Sequence, residues 1–239
     1  MIERILPRFV VGVDAFRDLP QASLHPLEAL VVRHAVGARR REFATGRWCA
    51  KQALAGLHIP EGPLLPGPHH APRWPEGVVG SITHCAGYRA AAVARSSDVR
   101  MLSVDAEPHA PLPPGVLESI ALPEELAMVR ELRIASPGTH WDRLLFSMKE
   151  TVYKAWYPAT ARRLEFEDAR ITINVSAAAF SAQVLVPSPL RQHRRPLDRL
   201  NGRWLVSGGL VMAVLAVPAA DPMVPAAGHL VPAAPGALP

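Results

Sequence analysis

Two short segments of the sequence carry residues whose types and spacing could do chemistry. In the first, residues 102–107, the alternation of a strand turns Asp105 and Glu107 to one face and Val104 and Ala106 to the other. Two neighbouring carboxylates repel each other unless a hard cation lies between them, and magnesium takes oxygen ligands of this kind. A solvated strand end would show the same short pattern. The segment therefore raises a magnesium site as a hypothesis.

The second segment is Phe146–Pro158, which reads FSMKETVYKAWYP. A helix puts Glu150 and Lys154 one turn apart, on the face opposite Met148 and Val152. An exposed ion pair of small energetic weight would have the same spacing. The cluster of aromatic residues in the segment and the proline that should stop the helix at 158 favour a functional interpretation over that one.

Lysine is scarce in this chain, which has 26 basic residues of which only Lys51, Lys149 and Lys154 are lysine. Two of the three, Lys149 and Lys154, lie inside one run of six residues in the second segment. Because a guanidinium and an ammonium are not interchangeable in a tight site, this spacing indicates a place where an ammonium was specifically required.

Basic residues also gather in Arg39-Arg40-Arg41 with Arg47. Arg40 and Arg47 are seven residues apart, and so two turns along one helical face, where they could hold a phosphate by forked hydrogen bonds or simply be solvated. His84 ends a short strand in Gly80-Ser81-Ile82-Thr83-His84 and could donate to an anion, although a lone histidine is more often structural. Both interpretations stay open at this point.

Composition is that of a folded globular protein, with 49% hydrophobic and 20% charged residues. No apolar run is long enough to span a bilayer, and the first residues lack a secretory signal, so we expect a cytoplasmic protein. Cys49 and Cys85 are too few for a disulfide framework or a thiolate metal site, and we read both as small buried apolar residues. The net charge of +5 favours an anionic ligand or partner.

The elements that must position these residues follow from periodicity and turn signals. The first half reads as a strand at 8–13, a helix at 38–57, a Pro/Gly-rich loop at 60–77 and an antiparallel meander of strands at 78–83, 89–94 and 101–107. A proline-rich connection at 108–115 precedes helices at 115–120, 123–133 and 141–157 and strands at 169–175, 180–186, 203–206 and 209–217.

This order predicts an α+β fold with two similar subdomains in a pseudo-twofold arrangement, each a small, largely antiparallel sheet with helices, and an active site in the cleft between them. The expected boundaries are 1–107 for the N-terminal subdomain and 108–217 for the C-terminal one. Residues 218–239 hold six prolines and no lysine or arginine, and we expect a disordered tail.

Taken together, the motifs resemble one family, the 4'-phosphopantetheinyl transferases of the larger, monomeric kind that serve siderophore, polyketide and fatty-acid synthases, including the actinobacterial enzymes. The matching stretches are R-R-x-E-F-x-x-x-R-x-C-A-x-x-A-L ending at Leu54, P-x-W-P-x-G-x-x-G-S-I-T-H at Pro72–His84, V-D-A-E at Val104–Glu107 and F-S-x-K-E-x-x-Y-K-A-W at Phe146–Trp156. The last two are the family's signature. The loop around His69 and His70 departs from the family pattern, which often has glycine in place of His70 and a lysine nearby.

The resemblance implies a role for each matching residue. Asp105, Glu107 and Glu150 would bind magnesium, and Lys154 would lie near the pyrophosphate of coenzyme A. The residues expected to hold the coenzyme are Arg39, Arg40, Arg47, Ser81, Thr83, His84, Lys149 and Lys154. The catalytic residues would be Glu150, Glu107 and Lys154, with Glu150 as the favoured base for the carrier's serine and Glu107 as the second choice.

The expected reaction moves 4'-phosphopantetheine from coenzyme A to a serine of apo acyl or peptidyl carrier protein domains of polyketide, nonribosomal peptide or fatty-acid synthases, with Mg²⁺. The products would be the holo-carrier and adenosine 3',5'-bisphosphate. We expect no nucleic-acid or membrane partner, and a monomer, because two fused halves supply each other's interface.

Two other classes of protein could use the same residues. A magnesium phosphoesterase or nucleotidyl transferase could employ the three carboxylates, and it would act on a nucleotide without any carrier protein. A non-catalytic binder of an anionic ligand or of nucleic acid would explain the charge of +5. The basic residues, however, lie beside an acidic trio, and the aromatic interleaving of a single-strand binder is missing.

Overall fold

A computed structural model describes residues 1–192 and 195–219 of the chain. Five α-helices lie in these ranges: α1 (Pro26–Val31), α2 (Gly37–Gly56), α3 (Val116–Ile120), α4 (Pro123–Ala135) and α5 (Trp141–Thr160). The strands are β1 (Val11–Ala15), β2 (Val78–Cys85), β3 (Tyr88–Arg95), β4 (Val99–Pro108), β5 (Ala169–Asn174), β6 (Ala179–Val184), β7 (Arg191–Gln192), β8 (Arg195–Pro196), β9 (Arg199–Ser207) and β10 (Leu210–Pro218).

Two antiparallel sheets form the centre of the molecule, as the α+β prediction requires. The first has the strand order β1-β3-β2 and the second β4-β10-β9-β6-β5, while β7 and β8 form a separate small hairpin. Helix α2 packs on the first sheet and α5 on the second. The predicted fold class is therefore confirmed.

The alternation of side chains along β3 and β4 decides where the cores lie. Ala91 and Val93 of β3 pack with α2, whereas Ala90 and Ala92 face a second core that Val104 of β4 shares. The small side chains of β3 leave both of its faces buried, so the helix and the second sheet can approach it closely. A third core lies between the second sheet and α5.

The predicted meander of three strands is wrong for its last member. β2 and β3 pair as expected, but β4 pairs with β10, with Asp105 opposite Ala213 and Glu107 opposite Val211. Strand β10 reads LVMAVLAVP and offers an apolar partner more than a hundred residues away, which local turn signals cannot reveal. The division at 107/108 stays a prediction, although β4, which precedes it, belongs to the second sheet.

Several element boundaries also differ from the expectation. Helix α5 continues through Pro158 to Thr160, because a proline in the last turn removes only one late hydrogen bond. Helix α1 and the β7–β8 hairpin were not predicted, and β1 begins at Val11 rather than at residue 8. Cys49 is buried as expected, whereas Cys85 is only half-buried. The predicted tail at 218–239 lies outside the described residues from Ala220 onward.

Within the described ranges, none of the helices is long and apolar enough to cross a membrane.

Candidate active site

The acidic pair of β4 lies on one face of the strand, as strand alternation predicted, and that face meets α5. Val104 and Ala106 point into the core between the two sheets, and the odd-numbered residues point the other way. The hydroxyl of Ser103 donates to the carbonyl of Thr151 on α5 at 2.6 Å, so the strand and the helix lie in direct contact beside the pair.

Asp105 is buried and has one oxygen engaged and one oxygen free. Lys154 Nζ lies 2.5 Å from its Oδ1, and Thr83 Oγ1 donates to the same oxygen at 3.4 Å. The Thr83 hydroxyl also accepts a hydrogen bond from the Ala106 amide at 3.0 Å, which fixes its orientation. Asp105 Oδ2 is buried without a hydrogen-bond partner, so it is available to a ligand.

Glu107 is held by Arg143, a residue that the sequence analysis missed. Arg143 Nη1 lies 3.2 Å from Glu107 Oε2. Burial raises the pKa of Glu107 above its ordinary value, and Asp105 adds to the rise, while Arg143 and Lys154 oppose it. Arg143 and Glu150 are seven residues apart on α5 and therefore share one helical face. This spacing was the sequence signal that could have placed Arg143 at the site.

Glu150 carries the freest carboxylate of the site, since it makes no hydrogen bond or ion pair with any described residue. Burial raises its pKa, Lys154 opposes that rise, and Asp105 adds to it. Burial alone would lower the pKa of Lys154, but the carboxylates of Asp105, Glu150 and Glu107 outweigh burial and raise it. Lys154 is therefore an ammonium at neutral pH, and Glu150 holds a proton more readily than an exposed glutamate does.

Two pockets adjoin these residues, and they share Pro72 and Ile82 as part of their walls. The basic pocket, about 370 Å³, lies between α1, α2 and β2, and its polar lining consists of Arg39, Glu42, Arg47 and His84. The central pocket, about 260 Å³, lies between β2 and α5 and is lined by His69, Ser81, Glu150, Tyr153, Lys154 and Tyr157 among others. The two pockets adjoin at these shared residues, and together, as a groove, they extend from the arginines to Glu150.

A third pocket of about 260 Å³, the outer pocket, continues the groove beyond Glu150. Glu150 and Tyr153 belong to both the central and the outer pocket. Leu164 and Phe166 give the outer pocket an apolar wall. On the other side of the central pocket, the His69 and Tyr157 rings pack edge to face with their centres 4.6 Å apart. The loop around His69, which differs from the family pattern, therefore contacts α5.

Arg47 is buried, yet its terminal nitrogens reach the basic pocket. Its Nε donates to the Leu64 carbonyl at 2.8 Å and its guanidinium lies 4.4 Å from the Phe43 ring centre. Neither Nη atom bonds to a described residue. Burial lowers the pKa of Arg47 to about 10, against the attraction of Glu28, and the side chain stays charged at neutral pH. A buried guanidinium with free donors is suited to a phosphate.

Arg39 and His84 form a network with Glu42, a second residue that the sequence analysis missed. Arg39 Nη1 lies 3.0 Å from His84 Nε2 and also contacts Glu42, while His84 Nδ1 lies 3.1 Å from Glu42 Oε1. Burial lowers the pKa of His84 although Glu42 opposes it. The position of Glu42, three residues after Arg39 on α2, was the signal for its contact with Arg39.

Arg40 lines none of the three pockets, whereas Lys149 lines the outer pocket beside Glu150 but has its ammonium engaged by other partners. Arg40 Nε donates to the Val32 carbonyl at 3.1 Å, and its Nη2 donates to the Arg33 carbonyl, so Arg40 anchors the end of α1. Lys149 Nζ pairs with Glu125 at 2.8 Å and is buried. Its remaining protons go to the carbonyls of Phe166, at 2.7 Å, and Ala169, at 2.9 Å. Ser81 lines the central pocket as predicted.

The chemistry of the acidic residues fits a hard divalent cation. Asp105, Glu107 and Glu150 offer only oxygen donors, and one of these, Asp105 Oδ2, is buried without a partner. In the part of the chain that the structure describes, no three His, Cys, Asp or Glu side chains stand close enough together to enclose a metal ion. Magnesium is usually bound by one or two carboxylates together with substrate phosphates, so a full protein cage is not required.

A groove with arginines at one end and a carboxylate–ammonium cluster at the other is suited to an enzyme that acts on a phosphorylated substrate. Two family models match the chain: the 4'-phosphopantetheinyl transferase N-terminal domain over residues 27–94, and the 4'-phosphopantetheinyl transferase superfamily over residues 101–205.

Three relatives are similar over most of their length. The 4'-phosphopantetheinyl transferase Svp of Streptomyces mobaraensis is 50% identical, covering 92% of this chain and 90% of the relative. The 4'-phosphopantetheinyl transferase Npt of Nocardia iowensis is 43% identical, covering 90% and 99%. The 4'-phosphopantetheinyl transferase PptT of Mycobacterium tuberculosis is 42% identical, covering 87% and 96%.

The chain belongs to the 4'-phosphopantetheinyl transferase family, and the resemblance found in its motifs is confirmed. It is an enzyme of the transferase class, and proteins of this family transfer the phosphopantetheinyl group of coenzyme A to carrier proteins.

Proposed function

We propose that this protein binds coenzyme A along the groove and transfers its 4'-phosphopantetheine arm to a serine of apo acyl or peptidyl carrier protein domains. The observation that carries the proposal is that the basic pocket adjoins the central pocket, which contains the free carboxylate of Glu150. Arg39, Arg47 and His84 would hold the adenosine phosphates. Lys154 would contact the pyrophosphate.

The metal proposed for the site is Mg²⁺, which Asp105, Glu107 and Glu150 would hold and which would offset negative charge on the pyrophosphate oxygens. The unpartnered oxygen of Asp105 supports this assignment, because it is a buried oxygen donor that no described residue satisfies. Burial chiefly, and the nearby charge of Asp105 in addition, raise the pKa values of Glu107 and Glu150, and a cation would offset both effects. Ser81 and Thr83 are also proposed to belong to the coenzyme site. Thr83 acts there through its bond to Asp105.

Glu150 is the proposed general base, with Glu107 second. A serine hydroxyl is a poor nucleophile at neutral pH, and Glu150 has no internal partner that competes for its proton. The serine Oγ forms a bond to the β-phosphorus as the bond from that phosphorus to the bridging oxygen breaks. The serine proton passes to Glu150, and Lys154 stabilises or protonates the departing phosphate of adenosine 3',5'-bisphosphate.

The proposed partners are carrier domains of polyketide, nonribosomal peptide or fatty-acid synthases. A monomer is the expected state, because a single chain supplies both walls of the central pocket, β2 on one side and α5 on the other. We also keep a cytoplasmic location and the absence of a nucleic-acid partner as parts of the proposal.

The test is intact-protein mass spectrometry of an apo carrier protein incubated with this enzyme, coenzyme A and Mg²⁺, beside a sample with a chelator. A metal-dependent mass gain of one phosphopantetheine on the carrier is expected. Breakdown of coenzyme A at the same rate without a carrier would instead identify a phosphoesterase. No gain on any of several carriers, together with no coenzyme binding, would overturn the proposal.

A further inference from the structure

Both members of the acidic pair already have a cationic partner in the ligand-free protein. Lys154 lies 2.5 Å from Asp105, and Arg143 lies 3.2 Å from Glu107. With Glu150, the site holds three carboxylates and two cations, a formal charge of −3 + 2 = −1 when all the carboxylates are ionised. A divalent cation that approaches this cluster meets two fixed positive charges, so its binding to the free protein is weakened.

Arg143 differs from Lys154 in how firmly it is held. Its Nε donates to the Ala110 carbonyl at 3.1 Å and its Nη2 to the Pro111 carbonyl at 2.9 Å, while Nη1 binds Glu107. The guanidinium is thus fixed to the connection between β4 and α3, and it lines none of the three pockets. A phosphate in the groove cannot draw it away from Glu107.

Lys154, in contrast, lines the central pocket on a flexible stem, and its side chain is 29% exposed. A pyrophosphate in that pocket offers the ammonium a second anionic partner and adds two negative charges to the cluster. The formal charge of the site then changes from −1 to −3, which favours a dication strongly over the ligand-free state.

We propose that Arg143 is a positioning residue that holds one oxygen of Glu107 with or without the coenzyme. Its charge and that of Lys154 leave the free site too weakly negative to bind a divalent cation tightly until the coenzyme adds its own negative charge, so that the cation binds with the coenzyme rather than before it. This inference rests on the proposed function for the identity of the coenzyme. Its part concerning Arg143 depends only on the geometry of the free protein.

The first experiment measures binding of Mn²⁺, as a paramagnetic substitute for Mg²⁺, to the wild-type protein by electron paramagnetic resonance, with and without coenzyme A. The expected result is an affinity at least about fivefold higher with coenzyme A, and linkage requires that the metal raise the affinity for coenzyme A by the same factor. Equal Mn²⁺ affinities in the two samples would overturn the proposed order.

The second experiment compares variants in the absence of coenzyme A. Arg143→Gln removes the charge next to Glu107, and we expect the free protein to bind Mn²⁺ at least about fivefold more tightly. Arg143→Lys keeps the charge and should restore an affinity close to the wild-type value. Arg133→Gln is the matched control, because Arg133 pairs with the neighbouring residue Asp142 at 3.1 Å and does not contact Glu107.

A role limited to stability would change the melting temperature of Arg143→Gln but leave the Mn²⁺ affinity of the folded fraction unchanged, and that result would overturn the role of Arg143. If Arg143→Gln fails to fold, the wild-type comparison still decides the binding order. If coenzyme A does not bind to the wild-type protein at all, the proposed function fails, whereas the variant series without coenzyme still decides whether Arg143 restrains metal binding.

Discussion

Lys149 Nζ lies 2.8 Å from Glu125 Oε2 in an ion pair that is buried on both sides. Glu125 also accepts hydrogen bonds from the amide of Leu122 at 2.7 Å and from the amide of Ile171 at 2.6 Å. One carboxylate therefore ties together the start of α4, strand β5 and helix α5. Lys149 precedes Glu150, so the pair fixes α5 directly behind the proposed base.

The first half of the chain contains a second buried Glu–Lys ion pair of the same kind. Glu28 is fully buried, accepts from the Leu64 amide at 2.8 Å and pairs with Lys51 of α2 at 3.2 Å. Like Glu125, it is the third residue of a helix that begins with proline, and its lysine comes from a 20-residue helix. The repetition supports the prediction of two similar halves. It also explains why Lys51 and Lys149, two of the three lysines, are present: each neutralises a buried glutamate.

Lys149→Met should destabilise the protein by about 3–5 kcal/mol, because the buried carboxylate of Glu125 loses the one cationic partner it has among the described residues. The double variant Lys149→Met/Glu125→Gln should lose less than the sum of the single variants. Urea unfolding measures both. Arg170→Gln is the control, since its pair with Glu124 is about half exposed and should contribute at most about 1 kcal/mol. An equally small loss in Lys149→Met would contradict the anchoring role.

Glu150→Gln should lower kcat for transfer by about 10²–10⁴-fold, while the affinity for coenzyme A without metal stays close to the wild-type value. The amide keeps the size of the side chain but cannot take the serine proton. Carrier modification under steady-state conditions gives kcat, and calorimetry gives the affinity. Glu165→Gln, in the same outer pocket but exposed, is the control and should retain activity. Full activity of Glu150→Gln would show that Glu150 is not the general base and would assign that role to Glu107.

Arg39→Gln should weaken binding of coenzyme A by about tenfold, which is the loss of roughly one charge-assisted hydrogen bond. Arg41→Gln is the matched control, because Arg41 is two residues away on α2 but lies toward Asp18, at 4.0 Å, and outside the basic pocket. Isothermal titration of both variants gives the two dissociation constants. Equal affinities of Arg39→Gln and Arg41→Gln would remove Arg39 from the coenzyme site.

The rate of transfer should depend on the ionisation of Glu150. Burial raises its pKa above 4.5, the ordinary glutamate value, and the base works only when ionised. The profile of kcat/KM should therefore rise with pH through a limb that lies above 4.5. On the alkaline side no loss is expected near neutral pH, because the pKa of Lys154 is raised. An acid limb that persists in Glu150→Gln would assign it to another group.

Stability should respond to the same group in the opposite sense. The folded protein binds the Glu150 proton more readily than the unfolded chain does, so ionised Glu150 costs stability once the pH exceeds 4.5. Glu150→Gln should consequently unfold at a higher urea concentration than the wild type at pH 7. The difference should shrink as the pH falls toward 4. A variant less stable than the wild type at pH 7 would contradict the cost of that charge.

Local patterns in the sequence were sufficient for the parts of this protein that depend on near neighbours. The period of a strand gave the shared face of Asp105 and Glu107, and the period of a helix gave α2 and most of α5. The motifs around these elements were enough for the family. The reason is that backbone geometry fixes the direction of a side chain relative to its own element.

Only the tertiary structure decided which partners these side chains meet. Strand β4 pairs with β10 rather than with β3, Arg143 reaches Glu107, and Lys149 turns toward Glu125 while its neighbour Glu150 faces the groove. Arg40 does not extend along the helical face that it shares with Arg47, because its guanidinium donates to the Val32 carbonyl at the end of α1. The partners come from elements tens of residues away, and the packing of the sheets and helices, which no local period encodes, sets their distances.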